Sequence, residues 1–432
     1  MDINQISNNR FKQKYFINRN PAAPAVSKTY TVTSTNLLMK ELYKMANNNS
    51  VYLNKDFGLN LSTEELQKRT HKDYLITKKM LKADAPEYLE LAEGDKQALK
   101  HLVKAAYILE KINMQLDNPH NIKFKEFLEK EIAKGNKDAE MTKILFDAQK
   151  GINAIDSMSQ KIYLAKGIGE LPGKGLYPED LTKEEFHQIL TKMLNEGKDE
   201  DVRKILTQRS VVIRKGDELA GIDYIDKFKD DFARIADELD KASETSTNTD
   251  FNEYLKLQAK ALRTADPMLD AYADKKWATL QDTPLEFTIT RENYEDEMTG
   301  TIVENKELSK MLEERGISAI PKDFLGGRAG IVNKKGTDAL TAIKQYLPTL
   351  AQNMPYNNEY EQNISTTGDA KQTMVDVDLV AVTGNVGEYR GGITLAENLP
   401  NDDKPSLKIG GGRRNVYHRQ IRFISDKAKL QE

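Results

Sequence analysis

The stretch that decides the fold is Leu285–Gly300, which reads LEFTITRENYEDEMTG. Apolar residues fill alternate positions of its first half, and this period of two predicts a strand. Because residues two apart share one side of a strand, Glu292 and Tyr294 are expected on the same side. A carboxylate and a phenol placed in this way can hold an ammonium and a polarised carbonyl together. On residue types alone, a solvent-exposed strand end with a tyrosine at its rim is the simpler alternative.

The composition of the 432 residues is that of a soluble globular protein, with 39% hydrophobic and 30% charged residues. Its length suggests about two or three domains. The net charge of −3 argues against dominant nucleic-acid binding. The absence of cysteine excludes a disulfide framework, a thiolate metal site and a cysteine nucleophile, and it suits a reducing cytoplasm. No run approaches the roughly 18 apolar residues of a membrane span, and the N-terminus has no signal peptide.

The chain divides into three parts by pattern. Residues 1–34 are rich in Asn, Ser, Thr and Pro without a sustained period, which predicts a flexible arm. Residues 35–283 form a helical domain, in which apolar residues recur every three or four positions from Leu99 to Ile112. Ser62 and Thr182 each precede a glutamate by three and predict capping boxes.

Residues 284–432 are predicted to form the peptide-binding part. Strand-like runs lie at 285–291, 328–333, 375–383 and 391–396, with helices between them. In the third run, alternate residues from Val375 to Ala381 are expected to share one face. The fold class is therefore α+β: a predominantly helical N-terminal part, then a small mixed or antiparallel, barrel-like sheet with covering helices.

Several catalytic motifs are absent. None of the five histidines is followed by Glu and no two lie within five residues, so the helical His-Glu-x-x-His zinc motif does not occur. The glycines of Gly167–Asp180 lack the spacing of a phosphate-binding loop, and the segment is predicted to be a loop before a capped helix. No Gly-x-Ser-x-Gly elbow is present.

The C-terminal hundredth part of the argument concerns a strand edge near Gly384–Asp403. The proline in Asn398-Leu399-Pro400 suits an edge strand, since an inner strand would lose a ladder hydrogen bond there. Such an edge can accept a peptide as an added strand, although an ordinary turn is the simpler alternative. The following residues carry eight Lys or Arg against two acids and predict a solvated face, with Val416–Gln431 helix-like.

Five segments resemble the zinc-dependent dipeptidyl peptidase III family, particularly its bacterial members, loosely over residues 63–422. Their order and spacing carry the resemblance rather than any single segment. They are LYPEDLTKEEF at 176–186, FNEYLKLQAKAL…DKKWATLQDTPLEF at 251–287, GGRAGIVN at 326–333, LTAIKQYLPTLAQNMPYNNEY at 340–360 and VDVDLVAVTGNVG…ENLPNDD at 375–403.

The resemblance implies roles for five residues. Glu292 would help to hold the free α-amine of a peptide, and Tyr294 would act in catalysis by donating to the scissile carbonyl or its oxyanion. Asn398 and Asn401 would bind the substrate backbone, and Asp403 would reinforce the ammonium pocket. The chain departs from the family just before these residues, because Ala-Glu at 396–397 stands where the family usually has Gly/Ala-Ile.

A larger departure concerns zinc. The family carries a His-Glu-x-x-x-His helix and a downstream Glu-Glu-x-Arg-Ala/Lys-Asp helix, which supply the zinc ligands and the general base. Neither motif occurs in this sequence. Zinc is therefore expected for the full-length family enzyme, while no residue of this chain is expected to bind metal. The chain is expected to be truncated before the zinc-binding lobe and to be inactive by itself.

The sequence thus predicts the peptide-binding portion of a cytoplasmic dipeptidyl peptidase that cleaves dipeptides from the N-termini of short peptides. Its expected partners are short peptides, without nucleic acid or membrane. Two alternatives stay open at this point. One is a non-catalytic relative that binds peptides, and the other is a helical scaffold or interaction protein without a small-ligand cleft.

Overall fold

The computed structural model describes residues 56–71, 84–155, 161–264, 266–293, 296–355, 374–382, 396–399 and 405–418. The predicted N-terminal arm, 1–34, lies outside these ranges. The α-helices are α1 Thr63–Arg69, α2 Pro86–Leu89, α3 Glu93–Asp117, α4 Asn121–Ala133, α5 Lys137–Gln149, α6 Lys183–Asn195, α7 Asp199–Ile205, α8 Tyr224–Lys227, α9 Lys229–Thr245, α10 Thr249–Thr264, α11 Pro267–Trp277, α12 Glu297–Gly300, α13 Lys306–Glu314, α14 Lys334–Gln345, α15 Leu347–Gln352 and α16 Pro405–Lys408. The strands are β1 Asn153–Ile155, β2 Lys161–Tyr163, β3 Ser210–Lys215, β4 Glu218–Asp223, β5 Leu285–Glu292, β6 Phe324–Val332, β7 Met374–Val382, β8 Ala396–Leu399 and β9 Arg414–His418.

Helix α3 is the longest helix of the described residues and packs against both α9 and β6. The apolar stripe predicted along it is confirmed, because its members form part of the main core. The buried residues of that stripe are Leu99, Leu102, Ala106, Leu109 and Ile112.

Both predicted capping boxes are confirmed at their N-caps. The hydroxyl of Ser62 accepts from the backbone N–H of Glu65 at 3.2 Å, and that of Thr182 accepts from Glu185 at 3.1 Å. Residues 167–180 form the predicted loop, which contains a single turn of 3-10 helix at Lys174–Leu176 and leads into α6.

The prediction that residues 36–282 are overwhelmingly helical is wrong at two hairpins. Strand β1 pairs with β2, and β3 pairs with β4, both antiparallel. The second hairpin turns at Gly216, whose φ of +66° suits glycine in a two-residue connection. A Gly-Asp pair between two short apolar runs was the sequence signal for this turn.

The remaining strands form one five-stranded sheet in the order β5-β6-β7-β9-β8, and the α+β class is confirmed. Strand β7 pairs in parallel with β9, whereas the other neighbours are antiparallel. Among the described strands the sheet is open, with β5 and β8 at its ends, so it is not a closed barrel. Strand β9 also replaces the start of the helix predicted at Val416–Gln431.

Side chains alternate between the two faces of this sheet. The helical face packs on α3 and consists of Leu285, Phe287, Ile289, Leu325, Gly327, Ala329 and Ile331. The opposite face, here called the concave face, consists of Glu286, Thr288, Glu292, Arg328, Val377, Glu397, Arg414 and Val416.

A β-bulge interrupts the alternation in β7. Ala329 pairs with Ala381, but the next residue, Gly330, pairs with Leu379, so Val380 is an extra residue. Leu379 and Ala381 therefore lie on opposite faces. The prediction that alternate residues from 375 to 381 share one face holds only as far as residue 379.

One hydrophobic core joins the helices to the sheet. Its buried members lie on both sides of residue 284, from Leu91 in the helical part to Val416 in β9. None of the helices in the described ranges combines the length and the apolar character that crossing a membrane requires.

Candidate functional site

Arg328, in β6, joins side chains from three strands. Its Nη2 lies 3.4 Å from Oε1 of Glu292 at the end of β5, and its Nη1 contacts Oε2 of Glu397 in β8. The side chains of Arg328 and Glu397 are 4% and 6% exposed, whereas that of Glu292 is 29% exposed. We call these three residues the Arg328 cluster. When all three are ionised, two carboxylates share one guanidinium, and Glu292 is the member that faces solvent.

The contact between Arg328 and Glu397 reports the curvature of the sheet. Strands β7 and β9 stand between β6 and β8 in the sheet order, so a flat sheet would hold the two backbones about 14 Å apart. Side chains stand roughly perpendicular to a sheet, and an ion pair across that distance therefore requires the concave face to curl inward. This curl brings the end of β5 and the edge strand β8 to the same place.

A second buried ion pair lies on the concave face. Arg414 is fully buried, and its Nη2 lies 3.2 Å from Oε2 of Glu286. Trp277 donates its indole N–H to the other oxygen of Glu286 at 2.5 Å, and Arg414 also donates to the carbonyl of Leu280 at 2.7 Å. The prediction of a solvated basic face is therefore wrong at Arg414, because β9 turns this side chain into the interior.

Asp296, the last acid of the sequence knot at 292–296, is an anchor rather than part of an open surface. It is 5% exposed and accepts from the backbone N–H of Thr299, as the N-cap of α12, and from that of Lys322. The Tyr177 hydroxyl donates to Asp296 at 3.0 Å. Burial and the nearby Asp296 raise the pKa of the Tyr177 phenol well above its ordinary value, so the phenol stays protonated and donates.

Lys322 is buried beside this anchor. Its Nζ donates to the carbonyls of Ile205 and Thr207, at 2.7 and 3.1 Å, and to the hydroxyl of Ser210 at 2.7 Å. Burial lowers the pKa of Lys322 to about 8, although Asp296 and another carboxylate oppose the shift. Because the side chain is fully enclosed, we assign it a structural role.

Two predicted site residues fall within the described ranges. Glu292 belongs to the Arg328 cluster, and Asn398 lies in β8 directly after Glu397. Since Glu397 contacts the same guanidinium as Glu292, the structure brings these two parts of the chain together. Outside the described residues lie Tyr294, Asn401 and Asp403.

Sequence reasoning missed Arg328 and gave Glu397 no role. An arginine within the apolar and glycine-rich run GGRAGIVN was the available signal, because a charge in a buried strand needs a partner. The partner itself could not be identified, since Glu397 lies in a strand three positions away in the sheet.

Zinc, which the resemblance implies, does not fit the residues that the structure describes. No group of three His, Asp or Glu side chains in these ranges is placed to hold a metal ion. Two of the histidines are instead paired with single carboxylates on other elements. His101 Nδ1 lies 2.6 Å from Glu238, and His120 Nε2 lies 2.9 Å from Glu179.

Two solved structures share the fold described above. Dipeptidyl peptidase III from Caldithrix abyssi superposes with a TM-score of 0.60 at 24% identity, covering 79% of this chain and 57% of that chain. Dipeptidyl-peptidase III from Corallococcus sp. strain EGB has a TM-score of 0.56 at 17% identity, covering 78% of this chain and 56% of that chain.

Sequence comparison adds a more distant similarity. Nudix hydrolase 3 of Arabidopsis thaliana is 23% identical over 391 residues, which cover 82% of this chain and 48% of that protein. No protein-family model matches the chain. Over most of its length the chain therefore has the dipeptidyl peptidase III fold, and it spans little more than half of each of the two solved chains.

Proposed function

We propose that this chain, with its dipeptidyl peptidase III fold, is the peptide-binding part of a dipeptidyl-peptidase-like protein. The shared fold supports a peptidase-like relative. The ligand proposed for it is the amino-terminal end of a short peptide. The proposal concerns binding by the chain itself, because the chain spans only part of each related structure.

The observation that carries the proposal is the position of the Glu292 carboxylate. One of its oxygens faces Arg328, while the side chain keeps 29% exposure at the mouth of the concave face. The excess negative charge of the Arg328 cluster favours a cation at this point. A charge-assisted hydrogen bond to a peptide ammonium is worth about 1.5–3 kcal/mol.

The other assignments rest on the resemblance to the family. We propose that Tyr294 donates to the scissile carbonyl, that Asn398 and Asn401 bind the peptide backbone, and that Asp403 is a second acceptor for the ammonium. The place of β8 at one end of the described sheet supports a peptide that adds as a further strand.

Zinc in the complete family enzyme activates a water for attack on the carbonyl. The described residues do not fit the ion, and the sequence contains neither zinc motif of the family. We therefore propose that this chain binds short peptides in the cytoplasm and does not cleave them by itself. Release of a dipeptide chromophore by the purified chain with added zinc would contradict this part of the proposal.

Calorimetry with a tetrapeptide tests the binding proposal. The wild-type chain is titrated with the peptide carrying a free amino terminus and with its N-acetylated form. We expect the free amine to bind at least about tenfold more tightly, because acetylation removes the charge-assisted hydrogen bond to Glu292. Glu292→Gln is expected to abolish this preference, whereas Glu313→Gln, an exposed carboxylate of α13, should retain it.

Tyr294→Phe and Asn401→Ala extend the test to the residues assigned by resemblance. Each is expected to weaken binding of both peptide forms, because neither residue is assigned to the ammonium alone. If the wild-type chain binds neither form, the proposal is wrong and a helical scaffold becomes the better interpretation.

A further inference from the structure

Glu397 lies directly behind Glu292 with respect to solvent. Both carboxylates contact the guanidinium of Arg328, but Glu397 is buried and Glu292 is open to solvent. Glu397 also stands where the resembled family usually has an apolar residue, so the family pattern gives it no role.

The charge balance depends on this buried glutamate. If only Glu292 faced Arg328, the two charges would neutralise each other, and a cationic ligand would gain little from the carboxylate. With Glu397 paired to the same guanidinium, the cluster carries one excess negative charge. That excess lies where the cluster is open to solvent, at Glu292.

We propose that Glu397 is a specificity-determining residue of the peptide site, because its pairing with Arg328 leaves Glu292 available to a ligand ammonium. Arg328 is then a positioning residue that holds one oxygen of Glu292. The ligand class selected in this way is a short peptide with a free, protonated amino terminus, in preference to one that is blocked. This inference rests on the proposed function of Glu292.

A purely architectural role is the competing explanation, since the same ion pair also ties β8 to β6. The Arg414–Glu286 pair provides a matched control for that role. It is equally buried, on the same face, and consists of the same two residue types. Glu286 precedes Glu292 by six residues along β5, which places it about 20 Å from the open carboxylate.

The experiment compares Glu397→Gln with Glu286→Gln. Either glutamine can still accept from its arginine, so both variants are expected to fold, which thermal melting checks. The measured quantity is the ratio of calorimetric affinities for a tetrapeptide with a free amine and its N-acetylated form. We expect Glu397→Gln to reduce this ratio about tenfold and Glu286→Gln to leave it unchanged.

The double variant Arg328→Gln/Glu397→Gln separates charge from architecture. It removes one charge of each sign, so Glu292 again carries the excess charge, and the preference for the free amine should return. A purely architectural role predicts that the double variant is worse than Glu397→Gln.

An unchanged ratio in Glu397→Gln, or no recovery in the double variant, would overturn this inference alone. If the wild-type chain itself shows no preference for the free amine, the role of Glu292 is wrong, and the proposed function and this inference fall together.

Discussion

The two faces of the five-stranded sheet are both closed to solvent by opposite chemistry. On the helical face, Phe287 and Ile331 pack against α3, and Gly327 brings β6 close to that helix. On the concave face, the same strands carry the buried ion pairs of Arg328 and Arg414.

This difference separates structural from functional use of a buried surface. Apolar packing holds the sheet on the helices at no cost for desolvating charges. A buried ion pair gains back its desolvation cost only when its partners are well placed, so it is weak evidence for stability. The concave face therefore contains charges that stability alone does not require, and one of them is open to a ligand.

The largest expected effect concerns the buried pair on the concave face. Arg414→Met leaves the carboxylate of Glu286, which is 3% exposed, without its cation. We expect a loss of about 3–5 kcal/mol in the free energy of unfolding, measured by urea denaturation.

Arg414→Met/Glu286→Gln is the matched control for this change. It removes both charges, and the glutamine can still accept from Trp277, so the loss should be clearly smaller than in Arg414→Met. Equal losses in the two variants would show that packing rather than an unpaired charge sets the stability of the concave face.

A smaller effect is expected on the helical face. A Cβ added at Gly327 would lie 2.6 Å from Cδ1 of Leu109 and 3.3 Å from Cα of Ala106. Because Leu109 is fully buried, Gly327→Ala should cost about 1–3 kcal/mol of unfolding free energy. Gly169→Ala, where an added Cβ meets nothing within 4 Å, should change stability by less than about 0.5 kcal/mol. A neutral Gly327→Ala would mean that β6 and α3 are less closely packed than the structure shows.

The smallest effect concerns a charge buried without a directly paired carboxylate, at Lys322. Its pKa of about 8 in the folded chain lies below the ordinary value of 10.5. Between these values the unfolded chain holds a proton that the folded chain has released, so stability should rise with pH.

Urea denaturation of wild type and Lys322→Met at pH 7 and pH 9.5 measures this contribution. The wild type should gain about 1–2 kcal/mol relative to the variant at the higher pH. A stability difference that is the same at both pH values would show that the lysine does not titrate in this range.

The sequence predicted helices and strands best where one local pattern acts alone. The stripe of α3 and the caps at Ser62 and Thr182 depend on neighbours a few residues away. Strand β6, by contrast, begins at Phe324 rather than at the predicted residue 328. Glycines 326–327 suggested a break, whereas close packing against α3 requires a residue without a side chain there.

The candidate site was predicted only in part for the same reason. Glu292 followed from the alternation and from the resemblance, and it lies at the end of β5 as expected. The contacts of Arg328 and the burial of Arg414 depend on strands that are distant in the sequence. No local period distinguishes a buried arginine from an exposed one.

By itself the sequence determined the α+β class, the strand that carries Glu292 and the family to which its segments are similar. These features follow from hydrophobic periods and motif order, which act over short stretches of chain. Only the tertiary structure decided that Glu292 and Glu397 share one guanidinium and that Arg414 is buried. The curl of the sheet sets those contacts, because it joins strands that neither chain order nor sheet order makes neighbours.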